Sequence, residues 1–193
     1  MDSNRSVVRS DDALLVVIDI QERLAAAMHR RDAVVGASRK LVATAALVGM
    51  GIVVTRQYPR GLGELDATVE DSLMAAESGG ARVSRIDKVA FDCFADPAFA
   101  ETVAGSGRHQ LVLAGMESHI CIAQTALGAL ERGHEVHVVS DACCSREPDA
   151  HAVAMGRLGL AGVVVTTWES VAYEAVGAAG TDRFRALLEI VKA

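Results

Sequence analysis

The chain has 193 residues, 51% of them hydrophobic and 23% charged, with a formal net charge of −6. That length and composition fit one globular domain with a sizeable core and exclude a disordered chain. The acidic balance, without a basic patch, argues against nucleic acid or an anionic membrane surface as partner, and no stretch is apolar for long enough to span a membrane.

The polar start, "MDSNRSVVRSDD", lacks the apolar region of a signal peptide, so the expected location is the cytoplasm and residues 1–11 read as a loose tail ahead of a single domain covering 1–193. "ALLVVIDI" (Ala13 to Ile20) is a continuous apolar run rich in β-branched residues, which predicts a strand buried on both faces. Apolar residues then fall on one helical stripe from Arg31 to Val48. "GIVVTRQ" from Gly51 predicts a second strand and "RVSRID" from Arg82 a short third one. The segment between them, with Glu64 and Asp66, reads as a solvated loop. "QLVLAG" (Gln110 to Gly115) predicts a fourth strand, with a helix from His119 to Glu131. "HEVHVVSDA" is a fifth strand, followed by "ACC" read as small residues past its end, and His151 to Gly162 a helix. "GVVVTT" is a sixth strand and "DRFRALLEIVKA" a terminal helix. The alternation predicts an α/β fold, a parallel sheet with helices on both faces and right-handed crossovers.

Ligands in such sheets bind outside the carboxyl ends of the strands, where strand order reverses. That directs attention to Asp19, Gln57, Lys88, Glu117 to Cys121, and Asp141. Taken singly, each has a bland explanation. Asp19 could cap the next turn, Lys88 could be solvated, and Cys121 could be a small core residue. Together they would be a full activation set, because a thiol at a helix start is drawn toward thiolate, an ammonium favours it further, and a carboxylate can take the proton. The four cysteines, Cys93, Cys121, Cys143 and Cys144, have no C-x-x-C spacing and read as free thiols. His119 lies two residues from Cys121 and so points to another side of the helix. Gly61 and Gly63 read as turn residues. Trp168 fits either a pocket wall or a subunit interface.

Three segments together resemble the isochorismatase-like hydrolase superfamily, the cysteine hydrolases, over nearly the whole chain. "LLVVIDIQERL" is similar to its first-strand motif, "DKVAFDCF" to its lysine motif, and "GMESHICIAQTALGALERGHEVHVVSDACCSR" to its cysteine motif. "RQYPRGLGEL" and "TTWESVAYE" resemble the isochorismatase domain-containing branch. The resemblance implies a three-layer αβα, Rossmann-like fold with a six-stranded parallel sheet in the order 3-2-1-4-5-6. It implies Cys121 as nucleophile, Asp19 as the group that takes its proton and returns it to the leaving group, Lys88 as the ammonium that stabilises the charged pair and orients Asp19, and a non-proline cis peptide at Met116–Glu117. The backbone N–H groups of Glu117 and Cys121 would form the oxyanion hole, and Leu24, Gln57, Tyr58, Phe91, Met116 and Ile120 would line the substrate pocket. Members commonly self-associate, so a dimer or tetramer is expected. The nicotinamidase branch holds a metal through Asp-x-His-x-x-His after the second strand. Here "RQYPRGLGELDATVEDS" has no histidine, so neither metal nor other cofactor is expected, and nicotinamide is disfavoured. The presence of Cys121 disfavours isochorismate, since true isochorismatases lack that cysteine. The implied activity is hydrolysis of a small amide or related acyl compound through a thioester. A silent interaction protein of the same fold and a thiol-based redox sensor using Cys121 with Cys93 or Cys143 stand as alternatives.

Overall fold

A computed structural model of the protein describes residues 7–193. Its centre is one six-stranded parallel sheet in the order β3-β2-β1-β4-β5-β6. The strands are β1 (Ala13–Ile18), β2 (Gly51–Gln57), β3 (Val83–Lys88), β4 (Gln110–Met116), β5 (Glu135–Cys144) and β6 (Val164–Thr166). β1 pairs with β2 on one side and β4 on the other, so the chain order reverses between β1 and β4 as the resemblance implied.

Alternation along β1 feeds two cores. Leu15 and Val17 enter one, packed by Leu41, Val42 and Ala45 of α2 (Arg31–Val48), with Leu73 of α4 (Ala67–Ser78) and Val171 of α8 (Trp168–Val176). Leu14, Val16 and Ile18 enter the other, with Phe99 of α5 (Pro97–Ser106), Ala126 of α6 (Ala123–Glu131) and Leu158 of α7 (Pro148–Leu160). Because both faces are covered, every residue of β1 is buried, which is why it reads as an unbroken apolar run. The short α1 (Glu22–Ala26) follows β1 and buries Ala25, and α9 (Asp182–Lys192) buries Leu187.

Several expectations need correcting. Residues 58–81 are not a plain loop: they form the short α3 (Pro59–Leu62) and then α4. Asp66 is buried, caps α4 by accepting from Thr68 N at 3.0 Å, and pairs with Arg31; Glu64 is exposed and pairs with Arg56. Cys143 and Cys144 belong to β5 itself. The first six residues of the expected tail lie outside the described residues. Immediately after them the chain is fastened: Val8 is buried, its N–H donates to Glu174, and Arg9 N donates to the Gln110 side chain.

Candidate active site

β1 stops at Ile18, and Asp19 turns the chain in the left-handed region, at φ 55°. For a residue other than glycine that conformation costs about 1–3 kcal/mol and survives where surrounding contacts impose it. Here Asp19 N still donates to Thr55 O at 3.2 Å, which keeps the turn attached to the end of β2. On its other side, Ile18 is in register with Gly115 of β4. A Cβ at Gly115 would sit 1.9 Å from Ile18 O, so only glycine lets the two strand tips approach this closely.

Two partners hold the Asp19 carboxylate. Thr55 Oγ1 donates to Oδ1 at 2.7 Å, and Lys88 Nζ donates to Oδ2 at 2.7 Å. Lys88 ends β3, in register with Gln57, and its stem crosses beneath β2 to reach Asp19. The ammonium also donates to Gln57 Oε1 at 2.7 Å and Ala90 O at 3.3 Å. Gln57 is fixed in turn. Its Nε2 donates to Val89 O at 2.6 Å, and its N–H donates to Gln21 Oε1 at 2.7 Å. Gln21 Nε2 donates to Gln57 O at 3.1 Å and Gly63 O at 2.8 Å. Asp19 is 0% and Lys88 2% exposed, which rules out both the surface cap and the solvated lysine. A charge pair this deeply buried is stable only when its remaining hydrogen-bonding capacity is met, and here it is met.

Cys121 stands beside this pair. The helix predicted from His119 opens with a π-helical turn, Ser118–Ile122, before α6 begins. Glu117 O receives Ile120 N at 3.1 Å and Ile122 N at 3.2 Å, and the Met116–Glu117 peptide is cis. The turn is tied to the segment after β5 at three points. Ser118 Oγ meets His151 Nδ1 at 2.8 Å, His119 Nδ1 meets Ser145 Oγ at 2.8 Å, and Arg146 donates to Glu117 from N at 3.0 Å and Nε at 3.2 Å. π-turns of this kind are frequent at functional sites.

The electrostatics revise one expectation. Burial pushes the Cys121 thiol above its ordinary value, and the Asp19 charge and hydrogen bonding push it further; Lys88 pulls the other way and loses. The resting sulfur therefore carries its proton, with the Asp19 carboxylate near enough to act on it. A helix-start thiolate is not the ground state. Burial alone would lower the Lys88 ammonium, but Asp19, with Cys93 and Cys121, outweighs burial and raises it. Cys93, buried and bonded to Thr125 and Thr55, is pushed up to about 12, mainly by burial.

The remaining residues implied by the resemblance divide into two groups. Tyr58 and Phe91 are exposed, and Leu24 and Ile120 are half-buried. Gln57 and Met116 are buried and do not form an open wall: Gln57 is spent on Lys88, and Met116 packs in the α2 core. The Trp168 backbone N–H donates to Asp141 Oδ1 at 2.8 Å, and Lys40 Nζ lies 4.8 Å from the Trp168 ring centroid. Sequence reasoning passes over Thr55, Gln21 and His151. For Thr55 a signal existed, a hydroxyl at the end of an apolar strand.

Fold and site together define a doubly wound α/β protein with a thiol, a carboxylate and an ammonium gathered at its switch point. The chain belongs to the isochorismatase family, since the Isochorismatase domain matches residues 13–170. Isochorismatase domain-containing protein 1 of Salmo salar is 34% identical over 175 residues, covering 91% of this chain and 59% of that protein. The chain thus spans about three-fifths of the length of that relative. Isochorismatase domain-containing protein 2A of Mus musculus is 31% identical over 183 residues, 94% of this chain and 84% of its own. Among solved structures, one described as the MAR1 ribonuclease of Caenorhabditis elegans superposes with a TM-score of 0.88 at 29% identity, over 97% of this chain and 93% of that one.

Proposed function

We propose that the protein is a metal-independent cysteine hydrolase that cleaves a small amide or related acyl bond through a thioester on Cys121. One observation carries this reading. A protonated, nearly buried thiol faces a carboxylate whose other contacts, to Thr55 and Lys88, hold it in place as a base. Asp19 takes the Cys121 proton as Sγ attacks the carbonyl carbon. The backbone N–H groups of Glu117 and Cys121 receive the oxyanion, a contribution typically worth about 100- to 1,000-fold per donor. Asp19 then hands its proton to the departing amine, leaving an acyl-thioester. Water, deprotonated by Asp19, attacks that carbonyl; the carboxylic acid leaves and the thiol regains its proton. Lys88 offsets the negative charge that passes between sulfur and carboxylate.

The donor chemistry after β2 supports metal independence. That segment has no histidine, and Asp66 is committed to Thr68 and Arg31. Self-association into a dimer or tetramer belongs to the same proposal, supported by exposed Val153 and Leu160 on α7 and exposed Val165 on the edge strand β6. So does a cytoplasmic location; among the described residues no helix is long and apolar enough to cross a membrane. The ribonuclease description of the Caenorhabditis elegans neighbour is not carried over. A net charge of −6 and a site cation with every N–H committed do not suit phosphate binding. The deciding experiment is mass spectrometry of the protein incubated with a panel of amides. An acyl adduct mapped to Cys121 is expected, and its absence across substrates that are nevertheless turned over would overturn the thioester.

A further inference from the structure

We infer that the substrate of this site is uncharged at its acyl end and carries an apolar, aromatic or branched, group there. The inference rests on the cysteine hydrolase reading and adds the chemical class of the acyl group.

Its first ground is how the polar groups are used. Lys88 has three N–H donors and three acceptors, Asp19, Gln57 and Ala90 O. No donor is left for a substrate carboxylate. The Gln57 amide spends its oxygen on Lys88 and its nitrogen on Val89 O. The Gln21 amide is spent on Gln57 and Gly63, and the Thr55 hydroxyl on Asp19. Arg146 is turned to Glu117, Arg23 donates to Gly61 O, and Arg56 is held by Asp87 and Glu64. An anionic acyl group would therefore meet the Asp19 charge with no donor of Lys88 free to offset it. A cationic one would meet the buried Lys88 ammonium, with the Asp19 and Glu117 carboxylates already paired.

The second ground is what projects outward from the same backbone. Tyr58 follows Gln57, and its N–H donates to Lys88 O at 2.8 Å. In the next segment, Ala90 turns its carbonyl in to Lys88 while the flanking side chains turn out. Tyr58 is 54% exposed, Val89 76% and Phe91 53%. Ile120, half-buried, precedes the thiol directly. Isolated exposed apolar residues need no explanation, but here three large ones are carried by the segments that build the ammonium's cage. An ion pair whose donors and acceptors are already matched within the protein, under an apolar rim, recognises an uncharged, apolar acyl group.

The test is alkylation of Cys121 by matched electrophiles, each rate divided by that reagent's rate with glutathione. The reagents are iodoacetamide, N-benzyl iodoacetamide and N-(4-carboxybenzyl) iodoacetamide. Peptide mapping assigns the adduct. We expect the benzyl reagent to exceed iodoacetamide by about tenfold and the carboxylated one to lose that advantage. Tyr58→Ala and Phe91→Ala should bring the benzyl ratio toward one. Phe91→Lys, which supplies the missing cation, should restore the carboxylated reagent. Equal normalised rates for all three reagents, or a benzyl advantage untouched by both alanine variants, would overturn the inference. Failure of the underlying reading looks different: no acyl adduct would form on Cys121 with any amide that the protein turns over.

Discussion

An ion pair and a histidine are buried in this sheet under opposite conditions. At the carboxyl ends of β1 to β3, the Lys88–Asp19 pair has a partner for every donor and for both carboxylate oxygens. Near the start of β5, His137 is 0% exposed with neither ring nitrogen partnered, and Ser38 Oγ on α2 is likewise unpartnered. At the first place burial is compatible with full charge because the cage supplies compensation. At the second it is compatible only with the neutral form, and burial lowers the His137 proton affinity accordingly. The same sheet thus holds one site built to keep charge and one built around its absence. A thiol, Cys121, stands beside the first.

If the charged cage serves catalysis, the largest effect should come from removing the atom it activates. Cys121→Ala is expected to lower turnover by about 10⁴-fold or more with the fold retained, measured as kcat against circular dichroism and melting temperature. Turnover within tenfold of wild type would remove the thiol from the mechanism. Asp19→Asn keeps the shape but cannot accept a proton. Single-turnover acylation should slow by about 10²- to 10⁴-fold, and unchanged acylation would mean another group deprotonates Cys121.

Lys88→Met sharpens the comparison by turning the first region into something like the second, a buried ionisable group without its partner. It should cost about 3–5 kcal/mol in denaturant unfolding at neutral pH, because the Asp19 charge stays buried with Thr55 alone. Adding Asp19→Asn should recover part of that loss. In the single variant the alkylation profile of Cys121 should move to higher pH, since Lys88 is the one neighbour that favours the thiolate. Superimposable profiles and unchanged stability would show that the ammonium does not hold the site.

The strands were legible because their burial is written as composition. Six buried residues in β1 can only read as an apolar run, and β2 and β4 behave alike. The helices α4, α5 and α8 were not, because their buried stripes are short and rich in alanine: Val69, Leu73 and Ala76 in α4, Phe99 and Val103 in α5, Val171, Ala172 and Ala175 in α8. Their caps carried more information than their stripes. Asp66, Asp96 followed by Pro97, and Thr167 are ordinary start signals, and all three cap. Asp19, Lys88 and Cys121 stood out at strand ends, but their grouping came from motif resemblance, since their convergence depends on strand order, which no local pattern encodes. Thr55 and Gln21 escaped for the same reason. Thr55 matters only because register sets it opposite Ile18, one residue before the carboxylate it serves.

The smallest expected effect concerns His137 and tests the other half of the comparison. Burial is the main cause of its lowered proton affinity; Glu135 works against that and Arg9 with it. A histidine depressed in the folded state binds its proton more readily when unfolded. Its contribution to stability is therefore complete above the unfolded value of about 6.5 and is lost as the pH falls below it, toward the folded value. The loss can reach about 1.4 kcal/mol per pH unit for one proton. His137→Leu removes both the titration and two unpartnered nitrogens. It should be neutral or slightly stabilising at pH 8, where an apolar replacement relieves an unmet polar group. Below about 6.5 its unfolding free energy should fall less steeply than that of the wild type. His134 and His151 are also depressed, chiefly by burial, but both remain in the variant and cancel in the difference. Urea unfolding at pH 8, 6.5 and 5.5 measures it. Parallel curves for the two proteins would mean that His137 does not titrate differently on folding, and that the unpartnered ring finds a proton acceptor the comparison denies it.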